Sequence, residues 1–171
     1  DVDSFDPDLF SRTCWGQEEL ILVVPSVLEV NGRLKNKRMT FEQIRFSQEE
    51  RLVHSHVDLK EFQDEEFLLL KRGNSAYQLA LAMCHNAGFT PKVSAYMDQM
   101  ITAYYVAADT KSVTFIRAGA LDHVRPTDKL YFYYVDDANA VRPIYLYYKK
   151  NRVLPPIAKE FLSFMIEKAS Q

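Results

Sequence analysis

The side chains of this sequence that could do chemistry are few, and their spacing assembles no reactive set. His54 and His56 stand two apart in a polar stretch with no cysteine or carboxylate cluster to complete a metal site. His85 falls in a helical pattern and His123 in a loop. Cys14 and Cys84 form no CxxC pair and are too few for a disulfide framework, so both are expected as buried free thiols. The acidic runs Asp64, Glu65, Glu66 and Asp136, Asp137 are sequence neighbours, whose side chains diverge in extended chain and suit solvation better than acid–base pairing. No GxSxG, GxxxxGK[ST], GxGxxG or HExxH pattern occurs, which leaves nucleophile-elbow, phosphate-loop, dinucleotide and zinc-protease chemistry without support. The expectation is a protein without catalysis, metal or cofactor.

What remains is the chemistry of binding. Gly73, Asn74 and Ser75 follow the apolar run Phe67 to Leu70 and open an apolar-periodic stretch, the arrangement in which a parallel strand ends in a helix. Open α/β sheets bind ligands at such turns. The first amides of the helix and its positive end favour a carboxylate or another anion, with the Asn74 and Ser75 side chains orienting it. The alternative is that Asn74 or Ser75 only caps the helix.

The surrounding pattern supplies the elements that position this turn. FLLLK (Phe67 to Lys71) reads as a buried strand. In the helix after it, Ala76, Ala80, Met83 and Ala87 recur beside Tyr77, Leu81 and Cys84, until Gly88 supplies a left-handed stop and Pro91 bars continuation. KVSAYM (Lys92 to Met97) is a second strand. A second helix opens at Asp98, whose carboxylate is expected to accept from first-turn amides. SVTFI (Ser112 to Ile116) is a third strand. Strand and helix alternating in this way predict a parallel sheet, and an α/β fold.

Upstream, ELILVV (Glu19 to Val24), closed by Pro25, reads as a strand buried on both faces. Between Asn31 and His56 the pattern weakens, and MTFEQIRF is its only short helix signal. Downstream, KLYFYYV (Lys129 to Val135) and PIYLYYKK (Pro143 to Lys150) are aromatic strands joined by the polar connector Asp136 to Ala140. Their tyrosines could stack on single-stranded nucleic acid or a sugar, but Asp136 and Asp137 beside them favour packed sheet faces. A closing amphipathic helix starts at Pro155 and Pro156 and carries Ile157, Phe161, Phe164 and Met165.

Composition sets the outer bounds. The 171 residues are 47% hydrophobic and 26% charged, with a formal net charge of −2, ordinary values for a globular domain. Such a charge offers no general attraction to a phosphate backbone, and the basic stretch Arg33, Lys35, Lys37, Arg38 reads as a solvated loop. No apolar run approaches the roughly 18 residues of a membrane span, and the acidic start DVDSFDPD lacks the blocks of a signal peptide, so a cytoplasmic location is expected.

The order of these elements and their wording resemble the regulatory domain of LysR-type transcription factors. The likeness runs through WGQEELILVVP (Trp15 to Pro25), DLKEFQDEEFLLLKRGN (Asp58 to Asn74), CHNAGFTPKV (Cys84 to Val93), MITAYYVAADTKSVTFI (Met100 to Ile116) and PIYLYYKKNRVLPPIAKEFLSFM (Pro143 to Met165). AGFTP and the closing strand and helix are its most specific pieces.

The resemblance implies a fold similar to type 2 periplasmic binding proteins: two α/β lobes, two crossover strands, and a small-molecule effector in the cleft between the lobes. It implies a first lobe over residues 1–66, incomplete at its start, a second over 67–140, and a return to the first over 141–171. It adds the Met97, Asp98, Gln99, Met100 junction, where effector contacts of the family commonly lie. An acidic Asp98 there disfavours an anion unless its charge is engaged, and otherwise points to an effector with an amine. Ser4 and Phe5 follow what resembles the last parallel strand of the first lobe and are expected to face the same cleft.

DNA would be reached only through a winged helix-turn-helix, which the sequence does not show, and the regulator would act as a homodimer or homotetramer. The chain departs from the family pattern in two further places. Asp109, Thr110 and Lys111 stand where a Gly-rich turn is usual, with Arg117 in a proline position, and the connection from Asn31 to Ser55 is long. A transporter's solute-binding receptor shares the fold and is the competing expectation. An enzyme of that fold ranks third.

Overall fold

The computed structural model describes residues 5–49 and 55–169. In chain order its elements are β1 (Phe10–Pro25), α1 (Val30–Arg33), α2 (Phe41–Glu49), β2 (His56–Val57), β3 (Glu66–Leu70), α3 (Ser75–Asn86), β4 (Lys92–Met97), α4 (Met100–Ala108), β5 (Ser112–Arg117), β6 (Leu130–Val135), β7 (Val141–Lys149) and α5 (Pro156–Ala169). Short 3-10 turns cover Leu59–Phe62, Ala118–His123 and Ala138–Ala140.

The chain forms two compact units, one over Glu19–Val141 and the other from the residues up to Glu18 with those from Arg142 onward. The Leu20–Pro25 half of β1 lies between β5 and β6: Leu20 to Val23 face Arg117 to Thr114, and Ile21 to Pro25 face Tyr134 to Leu130.

Within the larger unit the strand order is β2-β6-β1-β5-β3-β4. β3 runs parallel to both β4 and β5, as the strand–helix alternation predicts, while β1 is antiparallel to β5 and β6. The Leu20–Pro25 part of β1 with β3, β5 and β6 is buried on both faces, and alternation sends successive side chains into two cores. Leu20, Leu22, Val24, Phe67, Leu69, Val113 and Phe115 join the Ala76, Tyr77, Ala80, Met83, Cys84 stripe of α3. Ile21, Val23, Leu68, Ile116, Phe132 and Tyr134 join Ala103, Tyr104 and Ala107 of α4 and Phe41 and Ile44 of α2. Helices on both faces of a mixed sheet are the α/β class the sequence predicts.

Local stops work as expected. Gly88 adopts a φ of 86° directly after α3, a conformation that any side chain would strain. The helix signal in MTFEQIRF becomes α2, capped by the Thr40 hydroxyl accepting from the Gln43 amide at 3.3 Å. The connector Asp136 to Ala140 is more ordered than a polar surface loop: the Asp137 carboxylate accepts from the Asn139 amide at 2.7 Å and caps a 3-10 turn.

The basic stretch is not simply a solvated loop. Lys37 Nζ donates to the His56 carbonyl (2.8 Å), Arg33 to the Glu61 carbonyl (3.4 Å) and Arg38 to the Asn31 carbonyl (3.1 Å), while the Arg38 guanidinium lies 4.4 Å from the Tyr131 ring centroid. These cations tie their own segment to the sheet.

Of the two thiols, Cys84 is buried as expected and Cys14 is exposed. Burial, with the Asp137 charge adding to it, pushes the Cys84 thiol up to about 12, so at neutral pH it holds almost no thiolate. Iodoacetamide at pH 8 is expected to modify Cys14 and spare Cys84 in the folded chain; peptide mass spectrometry showing equal modification before denaturation would contradict this packing.

The smaller unit is a ribbon and a helix. β7 pairs with β1, and Lys150 N donates to the Leu9 carbonyl at 3.0 Å. Phe5 stacks on Tyr147 with ring centroids 4.4 Å apart, and Arg12 lies over Tyr145 at 4.8 Å. The closing helix forms with Pro156 in its first turn. Its covered stripe is Ala158, Leu162 and Met165, each half-buried, whereas Ile157, Phe161 and Phe164 are exposed.

Candidate functional site

Three parallel strands end on one edge of the larger unit's sheet, and each end leads into a turn. β3 leads through Lys71 to Asn74 into α3, β4 through Asp98 and Gln99 into α4, and β5 ends at Arg117 before a 3-10 turn. The β3–β4 register pairs Leu70 with Met97, so the residues that follow, Lys71 and Asp98, are brought side by side. The Gly73 to Ser75 and Met97 to Met100 candidates thus share one rim.

The first turn is built for exposed amides. The Lys71 amide donates to the Met97 carbonyl at 3.0 Å, continuing the strand pairing, and Gly73 then turns the chain at a φ of 95°. Asn74 is the N-cap: its side-chain oxygen accepts from the Ala76 amide at 2.9 Å. The capping role is therefore real. It uses one acceptor, and the exposed Asn74 amide group and the exposed Ser75 lie at the positive end of a 12-residue helix.

The second turn corrects the expected role of Asp98. Its carboxylate does not cap α4, whose N-cap is Gln99 without a side-chain cap bond. Both its oxygens face Lys71 Nζ instead, at 2.8 and 2.9 Å. The negative charge that disfavoured an anion is thereby balanced from the neighbouring strand. Met100 ties the rim to β5, its sulfur accepting from the Arg117 amide at 3.0 Å.

Alternation along β5 places the Arg117 side chain on the face of Val113 and Phe115, the face covered by α3. The chain beyond Arg117 is held by α4, where Tyr104 donates to the Arg125 carbonyl (3.0 Å) and the Arg125 amide donates to the Tyr105 hydroxyl (3.1 Å).

Lys71 and Arg117 are the rim residues that the sequence did not single out. Lys71 carried a usable signal, since one basic and one acidic residue directly follow adjacent parallel strands. Phe5 lies in the smaller unit against Tyr147, and Ser4 lies outside the described residues.

The larger unit also has depressions of about 460 Å³, lined by Thr40, Glu42, Thr127 and Asp128 among others, and of about 430 Å³, lined by Asp58, Lys60, Asn86 and Asp137 among others. Neither includes a rim residue. Among the described residues no group of three or more histidines, cysteines or carboxylates could hold a metal ion, and no helix is long and apolar enough to cross a membrane.

In open α/β sheets, helix-opening turns at the carboxyl edge are where ligands bind. The LysR substrate binding domain model matches residues 3–170, and the chain belongs to that family. The family is regulatory and not catalytic.

Its fold is similar to the regulatory domain of CcmR from Synechocystis PCC6803, solved in complex with 2-PG (TM-score 0.73, 11% identity, covering 98% of this chain and 70% of that one). It is also similar to the effector binding domain of QuiR in complex with shikimate (0.67, 15%, 98% and 68%). Full-length CbnR complexed with its target DNA matches as well (0.63, 16%, 98% and 50%), so this chain spans half the length of that regulator. No curated protein matches the chain by sequence.

Proposed function

We propose that this domain senses a small anionic metabolite at the carboxyl edge of β3, β4 and β5, with the Gly73 to Ser75 turn as the anchor for its charge. The observation that carries the reading is the Lys71–Asp98 pair, which balances the one carboxylate of the two turns. The amide end of α3, Arg72 and Arg117 then give the rim a positive character suited to carboxylate or phosphate. Shikimate, the ligand in the QuiR structure, is a carboxylate. Met97, Gln99 and Met100 flank the anion as the apolar and amide part of the site.

The role is regulatory, and no reaction is performed. Occupancy biases a cytoplasmic homodimer or homotetramer between arrangements that meet DNA differently through a winged helix-turn-helix. The free energy transmitted is bounded by the effector's differential affinity for those arrangements.

A thermal-shift screen of small carboxylates and phosphate esters against the parent and the Asn74→Ala plus Ser75→Ala variant tests the site. Losing two polar contacts should weaken an effector about tenfold, beyond the lower melting temperature of the unliganded variant that follows from losing a cap. Equal stabilisation of both proteins by the same ligand would remove this turn from the site.

A further inference from the structure

In residues 71–76 and 97–101, the two turns that the β3–β4 pairing brings together, Asp98 is the sole carboxylate of the sequence. It is the group that an ammonium on a ligand would meet. Lys71 already engages it, with Nζ 2.8 and 2.9 Å from its two oxygens. We propose that this pair selects the chemical class of the effector: it admits a carboxylate or phosphate ester bearing hydroxyls and rejects the amino analogue, because the carboxylate that an ammonium needs is taken by Lys71. The inference rests on the rim being the effector site.

Two observations separate this role from a structural one. The Lys71 and Asp98 side chains keep 60% and 76% of their exposure, and an ion pair so open to water contributes little to folding. The strands it joins are held by their backbones: Leu70 pairs with Met97, and the Lys71 amide donates to the Met97 carbonyl at 3.0 Å. That register fixes where both charges stand, so the pair is a consequence of strand pairing and not its cause.

What the pair changes is the field at the rim. With Lys71 in place the Asp98 charge is balanced, and the amide end of α3 beside Arg72 is left to meet an anion. Without Lys71 a bare carboxylate stands there, repelling an anion and offering an ammonium its partner. A ligand lying over the pair excludes water and strengthens both effects, since Coulombic interactions grow as the local dielectric falls. Selection by charge of this kind is a difference of affinities, in which the repulsive element counts as much as the attractive one.

The test is an amide NMR titration of the 171-residue chain, at constant ionic strength, with lactate and alanine. These share a skeleton, differ in a hydroxyl or an ammonium beside the carboxylate, and are small enough to enter a site of any shape. In the parent, lactate should shift the amides of residues 71–76 and 98–101, and alanine should bind about tenfold more weakly. Lys71→Met should weaken lactate about tenfold and tighten alanine about tenfold, reversing the order. Lys71→Met with Asp98→Asn has the parent's net charge and should return to the parent's preference, which loss of a direct Lys71 contact to the ligand would not give. Asp98→Asn alone serves if Lys71→Met does not fold: it should tighten lactate about threefold and leave alanine no weaker. Equal binding of the two compounds by the parent, a preference unmoved by Lys71→Met, or alanine weakened by Asp98→Asn would overturn the inference and leave the rim as the site. Rim amides unmoved by both compounds in the parent would overturn the reading of the rim, and the inference with it.

Discussion

Asn31→Ala is expected to lower the unfolding free energy by about 3 kcal/mol, because one buried side chain loses three hydrogen bonds together. Asn31 stands in a stretch that reads as a polar loop, yet it is 2% exposed. Its side-chain nitrogen donates to the carbonyls of Pro25 (2.8 Å) and Leu28 (3.0 Å), and its oxygen accepts from the Tyr133 hydroxyl (2.8 Å). Tyr133 is itself fully buried, and burial raises its hydroxyl pKa above the ordinary range, so it remains a donor at all working pH values.

One side chain therefore fixes the end of β1, the turn after it and the middle of β6. Alanine leaves the Tyr133 hydroxyl without this acceptor, while the Pro25 and Leu28 carbonyls each lose one of two donors and keep the backbone amides of Leu28 (3.1 Å) and Asn31 (3.2 Å). Tyr133→Phe removes one hydrogen bond and should cost about 1 kcal/mol, which separates the network from general packing loss. Chemical denaturation of the two variants beside the parent checks both values. An Asn31→Ala loss below that of Tyr133→Phe would contradict the network.

The second large effect concerns binding. Arg72→Glu with Arg117→Glu is expected to weaken an anionic effector about 100-fold, since reversing each charge at a partly solvated rim costs about 1 to 2 kcal/mol. Arg72 is exposed and outside the two cores, so Arg72→Glu alone should move the melting temperature of the unliganded protein little, and it serves as the control for any loss of stability in the double variant. Isothermal titration at two salt concentrations checks the electrostatic origin: the gap between parent and variant should narrow as salt rises. Unchanged affinity would mean that the ligand's charge is met elsewhere.

The parts of this fold that were legible in the sequence are those encoded locally. The β3-α3-β4-α4-β5 run follows from periodicity, the Gly88 stop and short apolar runs, all of which act over a few residues. The two turns of the rim were legible for the same reason. Long-range pairing hid the rest. Leu20 to Val24 announce a buried strand, but nothing near them says that β5 and β6 are its neighbours.

Asp98 illustrates the same difficulty at the site. A carboxylate before a helix is a cap by local rules, and its actual partner, Lys71, lies 27 positions away. The cations of the Asn31 to Arg38 stretch were read as solvated because their acceptors are backbone carbonyls, which leave no trace in composition.

The most direct test of the sensing site is amide NMR of the isotopically labelled domain titrated with whichever carboxylate or phosphate ester raises its melting temperature. The account predicts that the shifts concentrate on residues 71–76, 98–101 and 117, on the carboxyl edge of the three parallel strands. Shifts centred instead on the depression beside Asp58, Asn86 and Asp137, with the rim unchanged, would contradict it.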